Sequence, residues 1–260
     1  MLNQRICLFI PTFNVETTVV DVLEGISKDC LARIQRIYLI DNRSSDRTVE
    51  VLKSYLASRG DERFKLYQNA ENYQLGGSNI IALRLAKSEN MDYLICLHSD
   101  GQADPKDLPQ ILDLLDGQRD FVFGSRFLPS SRVGDYSLMR RWGNLFFVFL
   151  QQQLLGQKVY DIGSFLAMRV KSVTDLPYGR YPADMGYQPI LVMAAFRFGS
   201  INFAEIPIGW GKVKNSSVKP LGYALRHLSR LVQIYLGHIP LTDKTPDDFL
   251  TQEIQVSSAL

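Results

Sequence analysis

Four short polar segments, each directly after an apolar run, carry the residues that could do chemistry. They are Pro11-Thr12-Phe13-Asn14-Val15-Glu16, Asp41-Asn42-Arg43-Ser44-Ser45-Asp46, His98-Ser99-Asp100-Gly101-Gln102 and Gly124-Ser125-Arg126-Phe127. Asp100 and Gln102 are two residues apart in a turn, a spacing that lets two oxygens face one point. Such donors suit Mg²⁺ or Mn²⁺ held jointly with a diphosphate. The same spacing also makes an Asx-turn leading into a helix that starts at Pro105. Ser45 and Asp46 read equally well as caps of the helix that follows them. The sequence has neither a Walker A loop nor a G-x-G-x-x-G, and Gly76-Gly77 alone is a weak signal. A P-loop or dinucleotide site is therefore not expected.

The elements that must position these groups follow from periodicity. Arg5–Ile10, Ile34–Ile40, Phe64–Gln68, Asp92–Leu97 and Asp120–Phe123 are β-branched or aromatic runs bounded by polar turns, and read as strands. Residues 17–28, 46–58, 76–88 and 105–116 carry helical spacing between them. Strand–helix alternation with short links predicts an α/β fold with a mostly parallel central sheet flanked by helices. Ligands bind at the carboxyl ends of such strands, where the four polar segments would share one rim. The second half is less regular. It predicts an aromatic-rich helix over 138–155, an apolar helix over 184–198, a strand over 200–208 and a basic amphipathic helix over 219–236.

Composition narrows the classes. In 260 residues, 46% hydrophobic and 22% charged with a net charge of +2, nothing points to disorder or to a nucleic-acid partner. Three scattered cysteines suit a reducing cytoplasm rather than a disulfide scaffold. The longest apolar run, Ile190–Phe196, falls far short of the about 20 residues that span a bilayer. The balanced charge hides segregation. Residues 206–241 hold Lys212, Lys214, Lys219, Arg226 and Arg230 with no acid, and an acidic tail follows.

Taken in order, the strand-end motifs resemble glycosyltransferase family 2, the inverting enzymes of GT-A fold. The nearest resemblance is to the dolichyl- and polyprenyl-phosphate sugar synthases. I-P-T-F-N resembles I-P-x-Y-N-E, I-D-N-R-S-S-D-R-T resembles V-D-D-G-S-x-D-x-T, and H-S-D-G-Q-A-D-P resembles D-A-D-G-Q-H-D-P. F-G-S-R-F resembles I-G-S-R-F, Asp161–Phe165 resembles D-x-T-G-S-F-R, and Ala204–Ile208 resembles an E-V-P-I strand. The resemblance implies a GT-A-like nucleotide-diphospho-sugar transferase fold. Its catalytic domain would span 1–218, with a nucleotide-sugar half at 1–125 and an acceptor half at 126–218. Residues 219–260 would be a basic amphipathic helix and acidic tail.

Carried over residue by residue, Pro11, Thr12, Asn14, Glu16, Asp41, Asn42, Ser44, Gly76, His98, Ser99 and Asp100 would face the nucleotide-sugar. Asp100, Gln102 and His98 would hold Mg²⁺ or Mn²⁺. Arg126 would neutralise a diphosphate or acceptor phosphate, joined on the acceptor side by Arg132, Arg140, Ser164, Lys212, Lys214 and Ser217. The sequence departs from the family pattern at His98, Asn42, Arg43 and Leu166, where Asp, Asp, Gly and Arg are usual. Arg140, Arg141 or Arg169 could replace the last of these.

Three functional readings follow. The first is metal-dependent, inverting sugar transfer from a nucleotide-sugar to a polyprenyl phosphate, an acceptor that needs no base. The second is transfer to a sugar hydroxyl in glycan or glycolipid synthesis, which needs a carboxylate base; Asp184 is the candidate, unless it is a helix cap. The third is a nucleotide-sugar-binding protein with impaired catalysis. The resemblance also allows a homo-oligomer and a peripheral contact at the cytoplasmic membrane face. Leu221, Leu225, Leu228, Val232 and Tyr235 share one face of the basic helix. That face and the aromatic helix read as packing on the core, or alternatively as a lipid-facing patch.

Overall fold

A computed structural model describes residues 4–134, 138–162, 165–211 and 220–256. Side chains at 138–141, 155, 220, 221, 223 and 224 lie outside that description. In chain order the elements are β1 (Ile6–Thr12), α1 (Val19–Glu24), α2 (Lys28–Arg33), β2 (Arg36–Asp41), α3 (Thr48–Arg59), β3 (Phe64–Asn69), α4 (Gln74–Ser88), β4 (Tyr93–Cys96), α5 (Leu108–Asp113) and β5 (Phe121–Ser125). They continue with β6 (Arg132–Val133), α6 (Leu138–Leu155), β7 (Phe165–Arg169), α7 (Val170–Thr174), α8 (Tyr187–Phe198), β8 (Phe203–Pro207), β9 (Gly209–Trp210), α9 (Pro220–Tyr235) and β10 (Thr251–Ile254).

Eight strands form one sheet in the order β10-β3-β2-β1-β4-β7-β5-β8. β3, β2, β1 and β4 run parallel, as do β5 and β8, while β7 and β10 are antiparallel to their neighbours. The alternating pleat splits β1 between two cores. Cys7 and Phe9 join α4 and α8 on one side, and Ile6, Leu8 and Ile10 join α1, α3 and α5 on the other. A sheet buried on both faces explains why its strands read as continuous apolar runs.

The structure departs from the sequence expectations in several places. The helix expected over 17–28 is shorter, Val19–Glu24, and an unexpected second helix, Lys28–Arg33, starts where Ser27 accepts the Cys30 N–H. The helix expected from Pro105 begins as a 3₁₀ turn capped by the Asp104 side chain, which accepts the Lys106 N–H. β7 and β10 were not expected. The acidic C-terminal segment is therefore fastened at the sheet edge: β10 pairs with β3, and Phe249 is fully buried. Among the described side chains of α9, His227, Leu231 and Ile234 are buried, while Leu225, Val232 and Tyr235 face outward. Trp142, Phe146 and Phe149 of α6 are likewise exposed rather than core. Among the described residues no helix is long and apolar enough to cross a membrane.

Candidate active site

The ends of β1 and β2 are laced together by short side chains. Asn14 adopts the left-handed region at φ 53°. Its Oδ1 accepts the Ser45 N–H at 2.8 Å, and its own N–H donates to Ser44 Oγ at 3.0 Å. Glu16 Oε2 accepts the Arg47 N–H at 2.9 Å. Asp46, not Ser45, serves the start of α3, accepting the Thr48 N–H at 3.0 Å. Arg43, standing where the resemblance expects glycine, keeps the conformation glycine would supply, with φ 64°.

Asp41 is buried, and its oxygens already accept the Ser44 N–H and Oγ–H and Gln68 Nε2–H at 3.0 Å. These three donors leave the carboxylate about one further acceptor site, and its full burial closes that site to solvent. Asn42 is the hub that holds the next loop. Its Oδ1 accepts from Asn69 Nδ2 at 3.0 Å and from the Tyr73 N–H at 2.9 Å, while its Nδ2 donates to Asn72 at 2.8 Å. Asparagine can donate and accept at once, which a carboxylate cannot.

Gly76 does not open onto this rim as a phosphate cradle would. A Cβ there would lie 2.4 Å from the Ala183 carbonyl carbon, so the missing side chain admits the 183–184 backbone. Ser99 is buried and clamps the rim, donating its hydroxyl to the Pro11 carbonyl while its own carbonyl accepts Thr18 Oγ1–H at 2.9 Å.

Beyond Ser99 the chain turns at Asp100, whose Oδ1 accepts the Gln102 N–H at 3.0 Å, with Gly101 left-handed at φ 76°. The Asx-turn reading of that spacing is therefore realised; it uses only Oδ1 of an exposed carboxylate. His98 is half-buried, with its ring edge-on to Trp210 at 6.1 Å. Burial, opposed by Asp100 and reinforced by the Arg126 cation, lowers its pKa and so favours the neutral imidazole. Among the described residues no cluster of three His, Cys, Asp or Glu could hold a metal by itself.

On the β5–β8 side, Arg126 leaves the end of β5 and is pinned in a fork by Asp161, through Nε at 2.7 Å and Nη2 at 3.0 Å. Its guanidinium also lies 5.2 Å from the Trp210 ring centroid. Asp161 is held in turn by Glu205, whose Oε1 accepts the Tyr160 N–H at 2.8 Å and the Asp161 N–H at 3.1 Å. Burial pushes the Glu205 carboxyl up to about 7; the two N–H groups oppose the rise and the Asp161 charge adds to it. Arg132 bonds the buried Asp107 at 2.9 Å. It lines a cleft of about 570 Å³ together with Asp21, Asp100, Gln102, Asp104 and Trp210.

Asp184, the candidate base or helix cap, is engaged by a cation. Its carboxylate takes Arg230 of α9 in a fork, at 2.8 and 2.6 Å, and accepts the Gly186 N–H at 2.8 Å. Against the upward pull of burial, Arg230 and that N–H bring its pKa below the usual carboxylate value. Arg169 cannot stand in for a rim arginine, because it pairs with Tyr93 at the opposite end of β4. Leu166 is buried in the core. Ser164, Lys212, Lys214 and Ser217 lie outside the described residues, as do the side chains of Arg140 and Arg141. Sequence reasoning missed the partner roles of Asp161, Asp107 and Trp210. The one available signal was Asp161, a carboxylate set between Val159-Tyr160 and Ile162.

Known proteins place this arrangement. The model of the family named Glycosyl transferase family 2 matches residues 7–176. The chain is 22% identical over 219 residues to UDP-N-acetylglucosamine–dolichyl-phosphate N-acetylglucosaminyltransferase of Methanococcus voltae, covering 80% of this chain and 86% of that one. It is 24% identical over 230 residues to polyprenol monophosphomannose synthase of Mycolicibacterium smegmatis, covering 84% of each. In fold it is similar to glucosyl-3-phosphoglycerate synthase from Mycobacterium tuberculosis, solved with Mn²⁺, UDP and phosphoglyceric acid. There the TM-score is 0.62 at 19% identity, over 98% of this chain and 88% of that one. With the rim, the sheet order and these matches together, the chain belongs to glycosyltransferase family 2, has the α/β GT-A-like fold, and is a glycosyltransferase.

Proposed function

We propose that this protein transfers a sugar, with inversion, from a nucleotide-sugar to a polyprenyl phosphate. The observation that carries the reading is the pairing of a fixed cation with an open carboxylate at one rim. Arg126, locked by Asp161 and Trp210, flanks the Asp100 turn, and Arg132 lines the adjoining cleft. A departing nucleoside diphosphate gathers negative charge, and a pre-positioned guanidinium stabilises it without reorganising. A lipid phosphate is already anionic. It needs cations to orient it for in-line attack and no base to activate it. Asp184, engaged by Arg230 and of lowered pKa, is poorly placed to be that base.

The donor set fits a divalent cation shared with the substrate. Asp100 offers a hard oxygen outside its turn, and the His98 imidazole offers a nitrogen better suited to Mn²⁺ than to Mg²⁺. A cation held there would neutralise the leaving diphosphate. Thr12 Oγ1, Asn69 Oδ1 and Gln102 Nε2 are buried at these strand ends with no hydrogen-bond partner among the described residues. Such atoms are costly unless a polar ligand or water uses them. The relatives that act on dolichyl or polyprenyl phosphate support the acceptor class.

The test is a thermal-shift screen of UDP-, GDP-, dTDP- and CDP-sugars with and without Mn²⁺. Transfer assays then follow on a polyprenyl phosphate and on a glycan hydroxyl. Stabilisation by one donor and transfer to the phosphate is expected. No stabilisation by any donor would overturn the donor reading. Transfer to the hydroxyl alone, abolished in Asp184→Asn, would overturn the acceptor reading. Donor binding without turnover would leave only a sugar-nucleotide-binding protein.

A further inference from the structure

Glu205 is the one charged residue between Arg197 and Lys212, set in the apolar run of β8 at the edge of the sheet. Half-burying a carboxylate there is costly, and a neutral side chain would pack beside its β5 neighbour Phe123 without that cost. Its acceptor serves a different part of the chain. A single oxygen, Glu205 Oε1, takes both the Tyr160 and the Asp161 N–H, from residues 45 and 44 positions earlier. Two successive N–H groups held by one oxygen fix the backbone at Tyr160, because turning either peptide breaks a bond. The Val159–Tyr160 peptide is held at both ends, its carbonyl by Gln152 Nε2 at 3.1 Å and its N–H by Glu205.

The side chain this backbone carries is that of Asp161. Its Oδ2 accepts the Arg126 N–H at 3.0 Å and the Nε–H at 2.7 Å, and its Oδ1 accepts Nη2–H at 3.0 Å. One carboxylate therefore grips both the backbone and the guanidinium of Arg126. The direction in which Asp161 points becomes the direction of the guanidinium. Trp210 lies against that group, 5.2 Å from ring centroid to guanidinium. A displacement at 160–161 is passed on to Arg126 at the rim.

We propose that Glu205 is a positioning residue for sugar transfer: through the 160–161 backbone and Asp161 it sets the Arg126 guanidinium for the phosphate it meets. The inference rests on the proposed role of Arg126 at a phosphate, and Glu205 itself touches no reacting atom. An ionised carboxylate is an acceptor roughly twice as strong as a neutral one. Its hold on 160–161 therefore tightens as its proton leaves, around a pKa of about 7. The charge set against that loss is Asp161, with the Arg126 cation beyond it; β5 presents apolar Phe123, and the Tyr160 side chain is exposed.

The experiment compares Glu205→Leu and Glu205→Gln with the unmodified chain. Gln keeps an Oε1 that can accept both N–H groups, whereas Leu keeps bulk and removes the acceptor. In transfer to a polyprenyl phosphate, Glu205→Leu should lower kcat about 100-fold with the KM for the donor little changed. Glu205→Gln should stay within about twofold of the unmodified chain at pH 6 and fall about fivefold behind it at pH 8. Asp161→Asn combined with Glu205→Leu should lose little more than either alone, since both act through one guanidinium. A second readout needs no substrate. In a Trp142→Phe background Trp210 is the only tryptophan, and its emission at pH 6 should shift in Glu205→Leu but not in Glu205→Gln.

Unshifted emission in Glu205→Leu would overturn the proposal. So would a donor KM that rises in step with the fall in kcat, or a pH profile of Glu205→Gln parallel to that of the unmodified chain. If Glu205→Leu does not fold, the comparison of Glu205→Gln at pH 6 and pH 8 decides. If the unmodified chain transfers nothing to the lipid phosphate while Trp210 emission shifts as expected, the acceptor reading falls and the positioning of Arg126 stands.

Discussion

On the β1–β3 side of the rim, the proposed donor side, Asn14, Asp41, Asn42, Ser44 and Asn69 hold one another and the backbone through short side chains. The β5–β8 side and its neighbour α9 rest instead on three guanidinium–carboxylate pairs: Arg126–Asp161, Arg132–Asp107 and Arg230–Asp184. Short side chains lose little rotamer freedom on ordering, so the first side is rigid at low entropic cost. A guanidinium fork is planar and pre-organised, so each of these pairs fixes its arginine in place. One side is held by a mesh of short amides, hydroxyls and a carboxylate, and the other by ion pairs that keep cations positioned where the proposed acceptor phosphate would sit.

The largest test of that contrast is Phe249→Ala. Phe249 is buried edge-on to Tyr73 at 5.3 Å, and the adjacent Leu250 N–H donates to the Tyr73 hydroxyl at 3.2 Å. Its loss should cost about 3–5 kcal/mol in urea unfolding and weaken nucleotide binding. A normal nucleotide affinity in the folded variant would show that the C-terminal segment does not brace the donor side.

Next in size is Arg126→Lys, which keeps the charge beside Asp161 but not the planar fork. Transfer should fall about 100-fold with donor affinity little changed. An equal loss of donor affinity would mean that Arg126 belongs to both sides. Asn42→Ala should cost about 1–3 kcal/mol, because it leaves the Tyr73 N–H without its acceptor and the Asn69 amide with Ser78 alone. Its effect on turnover should be confined to the KM for the donor.

The last test is of pH dependence. The folded chain holds the Glu205 proton more tightly than the unfolded chain, with a pKa raised from 4.5 to about 7. The stability this contributes is complete below the unfolded value and declines as pH rises toward 7. Glu205→Gln should flatten that slope in a series of melting curves. A slope that persists would place the proton elsewhere.

How far the sequence disclosed these two sides differs for the same reason. The β1–β4 loops were legible because each follows an apolar run and the pairing is local and parallel. β7 escaped notice because FLAMR is short and pairs antiparallel between β4 and β5, strands from much earlier in the chain. β10 escaped because TQEI is a polar edge strand with no apolar pattern to mark it. The fork between Arg126 and Asp161 joins residues 35 apart in sequence, a distance that no local motif encodes. The outward face of α9 was visible as a stripe, but period alone does not say which of two apolar stripes meets the core.

The β10–β3 pairing also sets a timetable. β3 leaves the ribosome with residue 69, and its partner strand is not complete until residue 254. At typical synthesis rates of about 5–20 residues per second, that edge waits roughly 10–40 s for its neighbour. For that time an unpaired strand edge, the kind of template that recruits other chains, stands open. Slowed translation or a lesion in the last turn of the chain would lengthen the exposure, so losses in yield from changes near Phe249 should exceed what equilibrium stability alone accounts for.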